Sequence, residues 1–289
     1  MDRSPPLLEV EGITRRFPGV TAVDGVDLSL HPGEVHALLG ENGAGKSTLI
    51  KILGGALRKD GGTVRLNGVP VYFHSPSDAL AAGIAVIYQE LVLCPHLSVA
   101  ENVLMGHLPR TAGLAIDWAA ANRRVAELLA RLGVSLPLNT PVGRLSTARQ
   151  QLVEIAKALS RDSRILVLDE PSAALGQRDL EHLFRVIRVL REQGVAIVYI
   201  SHRLEEVFEI ADRVTVLKDG RLVGHWPIGD VTMHGLVRAM TGRDLGVVTG
   251  ANEDASAPVR LAVRGLGRKG AFQDVSLSLR GGEIVGIAG

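Results

Sequence analysis

Short runs of β-branched and aliphatic residues alternate along the chain with longer stretches whose apolar positions recur every three to four residues. That alternation predicts an α/β fold with a mainly parallel sheet covered by helices. Three runs are apolar nearly throughout, as strands buried on both faces are: "EVHALL" at 34–39, "RILVLD" at 164–169 and "VAIVYIS" at 195–201. Between the first two, "DWAAANRRVAELLARLGV" at 117–134 reads as an amphipathic helix. Asp117 is placed to cap its start, Val125, Leu128, Leu129 and Leu132 share a face turned to the core, and Gly133 follows its end.

From Thr241 the periodicity gives out in "TGRDLGVVTGANEDASAPVR", a stretch of small and polar residues that reads as a linker. Beyond it the opening pattern returns. "LAVRGL" from Leu261 parallels "LEVEGI" from Leu8, and "VSLSLRGGEIVGIAG" parallels "VDLSLHPGEVHALLG". The shared V-x-L-S-L-x-x-G-E frame points to internal duplication. The expected division is a complete domain over 1–242, a linker over 243–258 and the first strands of a second copy over 259–289. Because the late copy breaks off at the first glycine of its loop, the chain is expected to be a piece of a longer one.

Composition narrows the partners. Lys and Arg number 32 against 31 Asp and Glu, a net charge of +1, which offers no electrostatic case for a nucleic-acid groove or an anionic lipid surface. The lone cysteine, Cys94, excludes an internal disulfide and a thiol metal cluster, fits a reducing cytosol, and is expected to be a buried, inert thiol. Apolar residues make up 46% of the chain, yet no apolar stretch approaches the roughly 18 residues that cross a bilayer, and the opening "MDRSPPLLEVEG" lacks an export signal. A soluble cytoplasmic chain is expected, with any membrane supplied by a partner.

The chemistry begins at "GENGAGKST", residues 40–48, which fits G-x-x-x-x-G-K-[ST] between a predicted strand and a predicted helix. Gly40, Glu41, Asn42, Gly43, Ala44 and Gly45 form the turn whose amides can face phosphate oxygens at a helix N-terminus, where the dipole already favours an anion. Lys46 can reach the β and γ phosphates, and Ser47, followed by Thr48, can ligate Mg²⁺. "RILVLDEP" ends a buried strand in two carboxylates at the sheet edge where α/β ligand sites form. Asp169 there suits Mg²⁺, and Glu170 suits orienting and deprotonating a water. Gln89, just after "IAVIY", is a candidate for Mg²⁺ and the lytic water, and His202, just after "VAIVYIS", for the γ phosphate and the placing of Glu170. Phe17 suits either stacking on adenine or packing in the core.

In this order, with a signature segment near Leu145, these motifs resemble an ATP-binding cassette ATPase over Leu7 to about Gly242 and again from Leu261. The segments "QELVLCPHLSVAENVLMG", "QQLVEIAKALS" and "SHRLEEVFEIADRVTVLKDG" are similar to the two-headed ATPases of monosaccharide importers. The resemblance implies a P-loop ATPase with a mixed-sheet core and a helical signature subdomain at about 90–162, with ATP and Mg²⁺ as ligands. It further implies transmembrane permease subunits docking on roughly 95–106, a second ATPase head in cis or by pairing of two chains, and, indirectly, an extracytoplasmic sugar-binding protein. The work would be done at the cytoplasmic face of the membrane. A nucleoside or signalling sugar as cargo, a cassette acting outside transport, and a binding module inactive without a second head are the competing readings.

The departure lies in the signature itself. Where the family pattern is LSGGQ, this chain has "LSTARQ" at 145–150, so Thr147, Ala148 and Arg149 replace Gly, Gly and Gln. Ser146 remains, expected to cap the following helix and to offer its hydroxyl to a γ phosphate. The added Cβ atoms are expected to hinder close approach, at about 1–2 kcal/mol wherever a left-handed backbone is needed. An asymmetric enzyme follows, with one competent site built on this head's Lys46, Asp169 and Glu170 and one weakened site built on its signature.

Overall fold

Alternate residues of the central strands explain the layering. In β3 (Val35–Leu39), β7 (Ile165–Asp169) and β8 (Ala196–Ile200), side chains leave the sheet on both faces, and nearly all are buried. Ala37, Leu166, Leu168, Ile197 and Tyr199 join one cluster, while Leu38, Ile165, Val167, Ala196 and Val198 join another on the opposite face. The protein is seen in a computed structural model that describes residues 5–112, 115–242 and 257–287. The predicted linker at 243–258 lies outside the described residues except for Ala257 and Pro258.

The chain divides into two units, Met1–Arg243 and Asp244–Gly289. In the first, a six-stranded sheet takes the order β10-β9-β3-β8-β7-β6, with β6 at Ile84–Ile87, β9 at Arg213–Lys218 and β10 at Arg221–Pro227. Its pairings are parallel save for the β9–β10 hairpin. A separate antiparallel sheet, not foreseen in the expectation of a mainly parallel one, has the order β2-β1-β4-β5, with β1 at Leu8–Phe17, β2 at Val20–Leu30, β4 at Gly61–Leu66 and β5 at Val69–Val71. Its strands alternate buried and exposed positions, so they cover one face of the core and leave the other to solvent.

Helices cover the rest. They are α1 (Lys46–Leu53), α2 (Pro76–Ala81), α3 (Val99–Val103), α4 (Trp118–Arg131), α5 (Thr147–Leu159), α6 (Gln177–Glu192), α7 (Leu204–Ile210) and α8 (Met233–Thr241). As predicted, the Asp117 carboxylate caps α4 by accepting the Ala120 amide at 2.9 Å, and Val125, Leu129 and Leu132 are buried, with Leu128 packed partly against them. Gly133 follows at φ +67°, a conformation that costs glycine little. Among the described residues no helix is long and apolar enough to cross a membrane.

Among its described residues the second unit holds one antiparallel hairpin, β11 (Val259–Arg268) and β12 (Phe272–Arg280). Its register repeats the opening hairpin residue for residue: Leu261, Val263 and Leu266 face Leu279, Leu277 and Val275 as Leu8, Val10 and Ile13 face Leu30, Leu28 and Val26. The irregularity repeats too. Gly12 and Gly265 both sit at φ +59°, and each amide donates across the hairpin, to the Asp27 carboxylate at 2.6 Å and the Ser276 hydroxyl at 2.9 Å.

Candidate functional site

The strand order brings the predicted segments together. β3, β8, β7 and β6 are parallel neighbours, so their C-terminal ends lie along one edge. The phosphate loop leaves β3, His202 follows β8, Asp169 closes β7 with Glu170 next, and Gln89 stands two residues past β6 with an exposed side chain.

The loop holds its shape through close backbone approaches. A Cβ on Gly40 would lie 2.4 Å from the Leu217 carbonyl oxygen, and one on Gly45 would lie 2.5 Å from that of Ala22, so neither position admits a side chain. Gly45 caps α1 at φ +101°, which starts the helix directly behind the loop. Glu41, Asn42 and Gly43 are exposed on the rim, Ala44 is buried beneath it, and Ser47 and Thr48 occupy the first turn of α1 with Ser47 exposed. The Lys46 ammonium donates to the carbonyls of Gly40 at 2.7 Å and Glu41 at 3.0 Å. Burial lowers its pKa, against the opposing pull of the Glu170 and Asp169 charges.

Across from it, burial raises the Asp169 carboxyl, and the neighbouring Glu170 charge raises it further against Lys46 and Lys51. A carboxyl so placed gains from a cation at its oxygens, and Ser47 adds a neutral oxygen donor, so the donor chemistry fits Mg²⁺. Glu170 sits at φ +49°, a left-handed conformation that costs a non-glycine residue about 1–2 kcal/mol. Its amide donates to the Ile200 carbonyl at 3.0 Å, which ties the turn after β7 to the end of β8. His202 Nδ1 lies 3.4 Å from Glu170 Oε1, with the histidine side chain 66% exposed and the glutamate 23%.

Phe17, which suited either stacking or core packing, does not pack in the core: it ends β1 with 40% of its surface exposed, and the Arg15 guanidinium lies 5.1 Å from its ring centroid. Arg15 is itself held by Asp60, whose other oxygen accepts the Arg16 amide. Cys94 is exposed rather than buried, because the Asn102 amide grips its backbone N–H and carbonyl from the core side and turns the thiol outward. Ser146 stands at the N-cap of α5, but its hydroxyl makes no capping bond; a cap of this kind contributes about 1 kcal/mol when made, and its absence leaves the hydroxyl open to a ligand. Thr147, Ala148 and Arg149 carry no left-handed strain, since all three have entered the helix.

Sequence reasoning missed two groups. Glu206 on α7 gathers three hydroxyls behind Glu170 and His202, and its only signal was a carboxylate one helical turn past the histidine. Glu154 and Lys157 on α5 border a cavity of about 370 Å³ shared with Tyr88, Val92 and Met105, and Lys157 donates to the Val92 carbonyl at 2.6 Å. Burial raises the Glu154 carboxyl there, although Lys157 works against it.

A family model described as ABC transporter matches residues 23–173. The chain is 55% identical to a ribose import ATP-binding protein, RbsA 2, of Rubrobacter xylanophilus, over 98% of this chain and 55% of that protein. It is 51% identical to a putative ribose/galactose/methyl galactoside import ATP-binding protein of Burkholderia lata, over 99% of this chain and 56% of that protein. The chain thus spans about half the length of the curated relatives it matches. A crystal structure of the ADP conformation of an ATP-binding cassette of an ABC transporter superposes with a TM-score of 0.73 at 26% identity, covering 83% of this chain and all of that one. Since the matched stretch takes in both the loop after β3 and the carboxylates after β7, and runs over half the chain's length, this chain belongs to the ABC transporter family.

Proposed function

We propose that the chain is the ATP-binding and ATP-hydrolysing part of a sugar importer, in which closure of two cassettes on ATP drives a membrane permease. The observation that carries this reading is the contact of His202 with Glu170, 3.4 Å apart, beside the loop that carries Lys46. Lys46 and the loop amides would hold the β and γ phosphates, and Phe17 would stack on the adenine face. Ser47, Asp169 and Gln89 would hold Mg²⁺, which when bound neutralises charge on the phosphate oxygens. Glu170 would accept the proton of the attacking water, with His202 holding its carboxylate and facing the γ phosphate; such contacts tighten when the substrate is in place.

The names of the relatives support a pentose or hexose as cargo, ribose first among them. The permease would dock at the cytoplasmic side, on the segment at roughly 95–106, where His96 and Leu97 are exposed ahead of α3. The hairpin of the second unit would open a second cassette, with 243–258 as the linker between the two.

Steady-state ATP hydrolysis by the purified chain, followed against its own concentration with Glu170→Gln as the blank, tests the reading. Specific activity that rises with concentration and vanishes in the variant is the expected result. Release equal in both proteins would remove Glu170 from the reaction.

A further inference from the structure

The His202 side chain is not held by packing, and that of Glu170 is only partly covered. His202 is 66% exposed and Glu170 sits on a left-handed turn, so their 3.4 Å approach depends on the two backbone turns that carry them. Behind those turns lies one carboxylate. Glu206, in the first turn of α7, is 2% exposed. Its Oε2 accepts hydroxyls from Ser172 at 2.6 Å, Tyr199 at 2.7 Å and Ser201 at 3.0 Å, and its Oε1 lies 2.8 Å from Arg203 Nη1.

The origin of the donors gives the cluster its meaning. Ser172 lies two residues after Glu170, in the turn that leaves β7, and Ser201 immediately precedes His202, in the turn that leaves β8. The Ser201 hydroxyl also accepts the Arg203 amide at 3.0 Å, which fixes its direction. Tyr199 belongs to β8 itself, and its hydroxyl meets the same Glu206 oxygen beside that of Ser172. Hydroxyl bonds to a buried carboxylate are short and charge-assisted, so a single oxygen joins the two turns through two stiff links.

We propose that Glu206 is the positioning residue of the hydrolytic site, the group that locks the turn of Glu170 to the turn of His202 through Ser172 and Ser201. At 2% exposed, it lies behind the two turns and not at the surface of the site. Its effect belongs to the distance between the two catalytic side chains, and a misplacement of about 1 Å at such a pair costs on the order of a hundredfold in rate. This inference rests on the hydrolytic reading of the site.

The test uses the full-length protein and three readouts: kcat, KM for ATP, and Tm. Glu206→Gln keeps the volume and one acceptor but loses the charge, and Ser172→Ala and Ser201→Ala each cut one link. All three are expected to lower kcat by about ten- to a hundredfold while KM for ATP stays within about twofold. Tyr199→Phe removes a donor from the same oxygen but leaves both serine links to it in place, and is expected to lower Tm while kcat stays within about twofold. If Tyr199→Phe lowers kcat as far as the serine variants do, or if the serine variants leave kcat unchanged, the carboxylate is a stabiliser of the core and the proposal falls. Should Glu206→Gln fail to fold, the two serine variants against Tyr199→Phe decide the matter alone. A wild-type protein without hydrolysis that Glu170→Gln can abolish would instead sink the hydrolytic reading itself.

Discussion

Asp169 closes β7 with its carboxyl between the Lys46 ammonium and the Glu170 carboxylate, and burial sets its behaviour before either neighbour does. A carboxyl whose folded pKa stands above its unfolded one favours the protonated fold; stability is fullest below the unfolded value and declines as pH rises through the folded one. At neutral pH the ionised Asp169 is therefore a burden on the fold in the absence of a cation. Asp169→Asn is expected to raise Tm at pH 7 without nucleotide, each kcal/mol released being worth about 2–4 °C in a chain of this size. The gain should narrow as pH is lowered towards the ordinary aspartate range, while Mg²⁺-dependent nucleotide binding is lost in the variant. Thermal melts of both proteins across that range check it, and a less stable Asn variant at pH 7 would mean that Lys46 and Lys51 outweigh burial. The same residue shows what can be read from a sequence. A carboxylate pair after a buried strand was legible as chemistry, whereas the left-handed turn of Glu170 was not, because φ depends on the Ile200 carbonyl that its amide must reach.

At the scale of elements, β3 holds a polar group that its neighbours conceal. "EVHALL" reads as a buried strand and is one, yet His36 within it is 1% exposed, and nothing in its spacing announces a partner. The partners lie on its own strand's start and on β9: Nδ1 stands 2.8 Å from Glu34 Oε1 and Nε2 stands 2.7 Å from the Thr215 hydroxyl. Arg213 and His225 face the same group. The neutral tautomer that satisfies both contacts donates from Nδ1 and accepts at Nε2. Burial holds the His36 pKa below its ordinary value even though Glu34 pulls it up. Burial pushes Glu34 up, but the His36 bond and the His36 and Arg213 charges outweigh it and leave the carboxyl low. For His36 the unfolded chain binds a proton below about pH 6.5 that the fold refuses, so stability falls as the medium is acidified. His36→Gln is expected to be less stable at pH 8 but to lose up to roughly 1.4 kcal/mol per pH unit less between about pH 6 and 5. Urea unfolding at a series of pH values reads that slope directly, and parallel slopes would show that His36 takes up a proton in the fold. The separate antiparallel sheet was missed for a related reason. β1 and β2 largely alternate as strands should, but which sheet a strand joins depends on pairings remote in sequence.

At the scale of the molecule, the repeat was the most legible feature, because its frame preserves both the alternation of the hairpin and the glycine that bends it. The duplicated register from Leu8 to Leu30 and from Leu261 to Leu279 gives that frame a physical content. The opening copy buries Leu8, Ile13 and Val26 completely, whereas Leu261 is 50% and Leu266 52% exposed within their own unit. If two heads close on each other, each site would pair one head's phosphate loop with the other head's signature, and the two sites would be unequal. Lys46, Asp169 and Glu170 would serve one site, and the altered "LSTARQ" would serve the other. Ser146→Ala would then remove a hydroxyl only from the weaker site, where a donor aimed at developing charge otherwise contributes about 2.7–4 kcal/mol. In the full-length protein Ser146→Ala is expected to leave at least about half of the ATPase rate, while Glu170→Gln leaves almost none. Initial phosphate release from the two variants side by side is the measurement. A Ser146→Ala rate as low as that of Glu170→Gln would mean that the signature of this head completes the working site, and the asymmetry would have to be abandoned in favour of two equivalent heads.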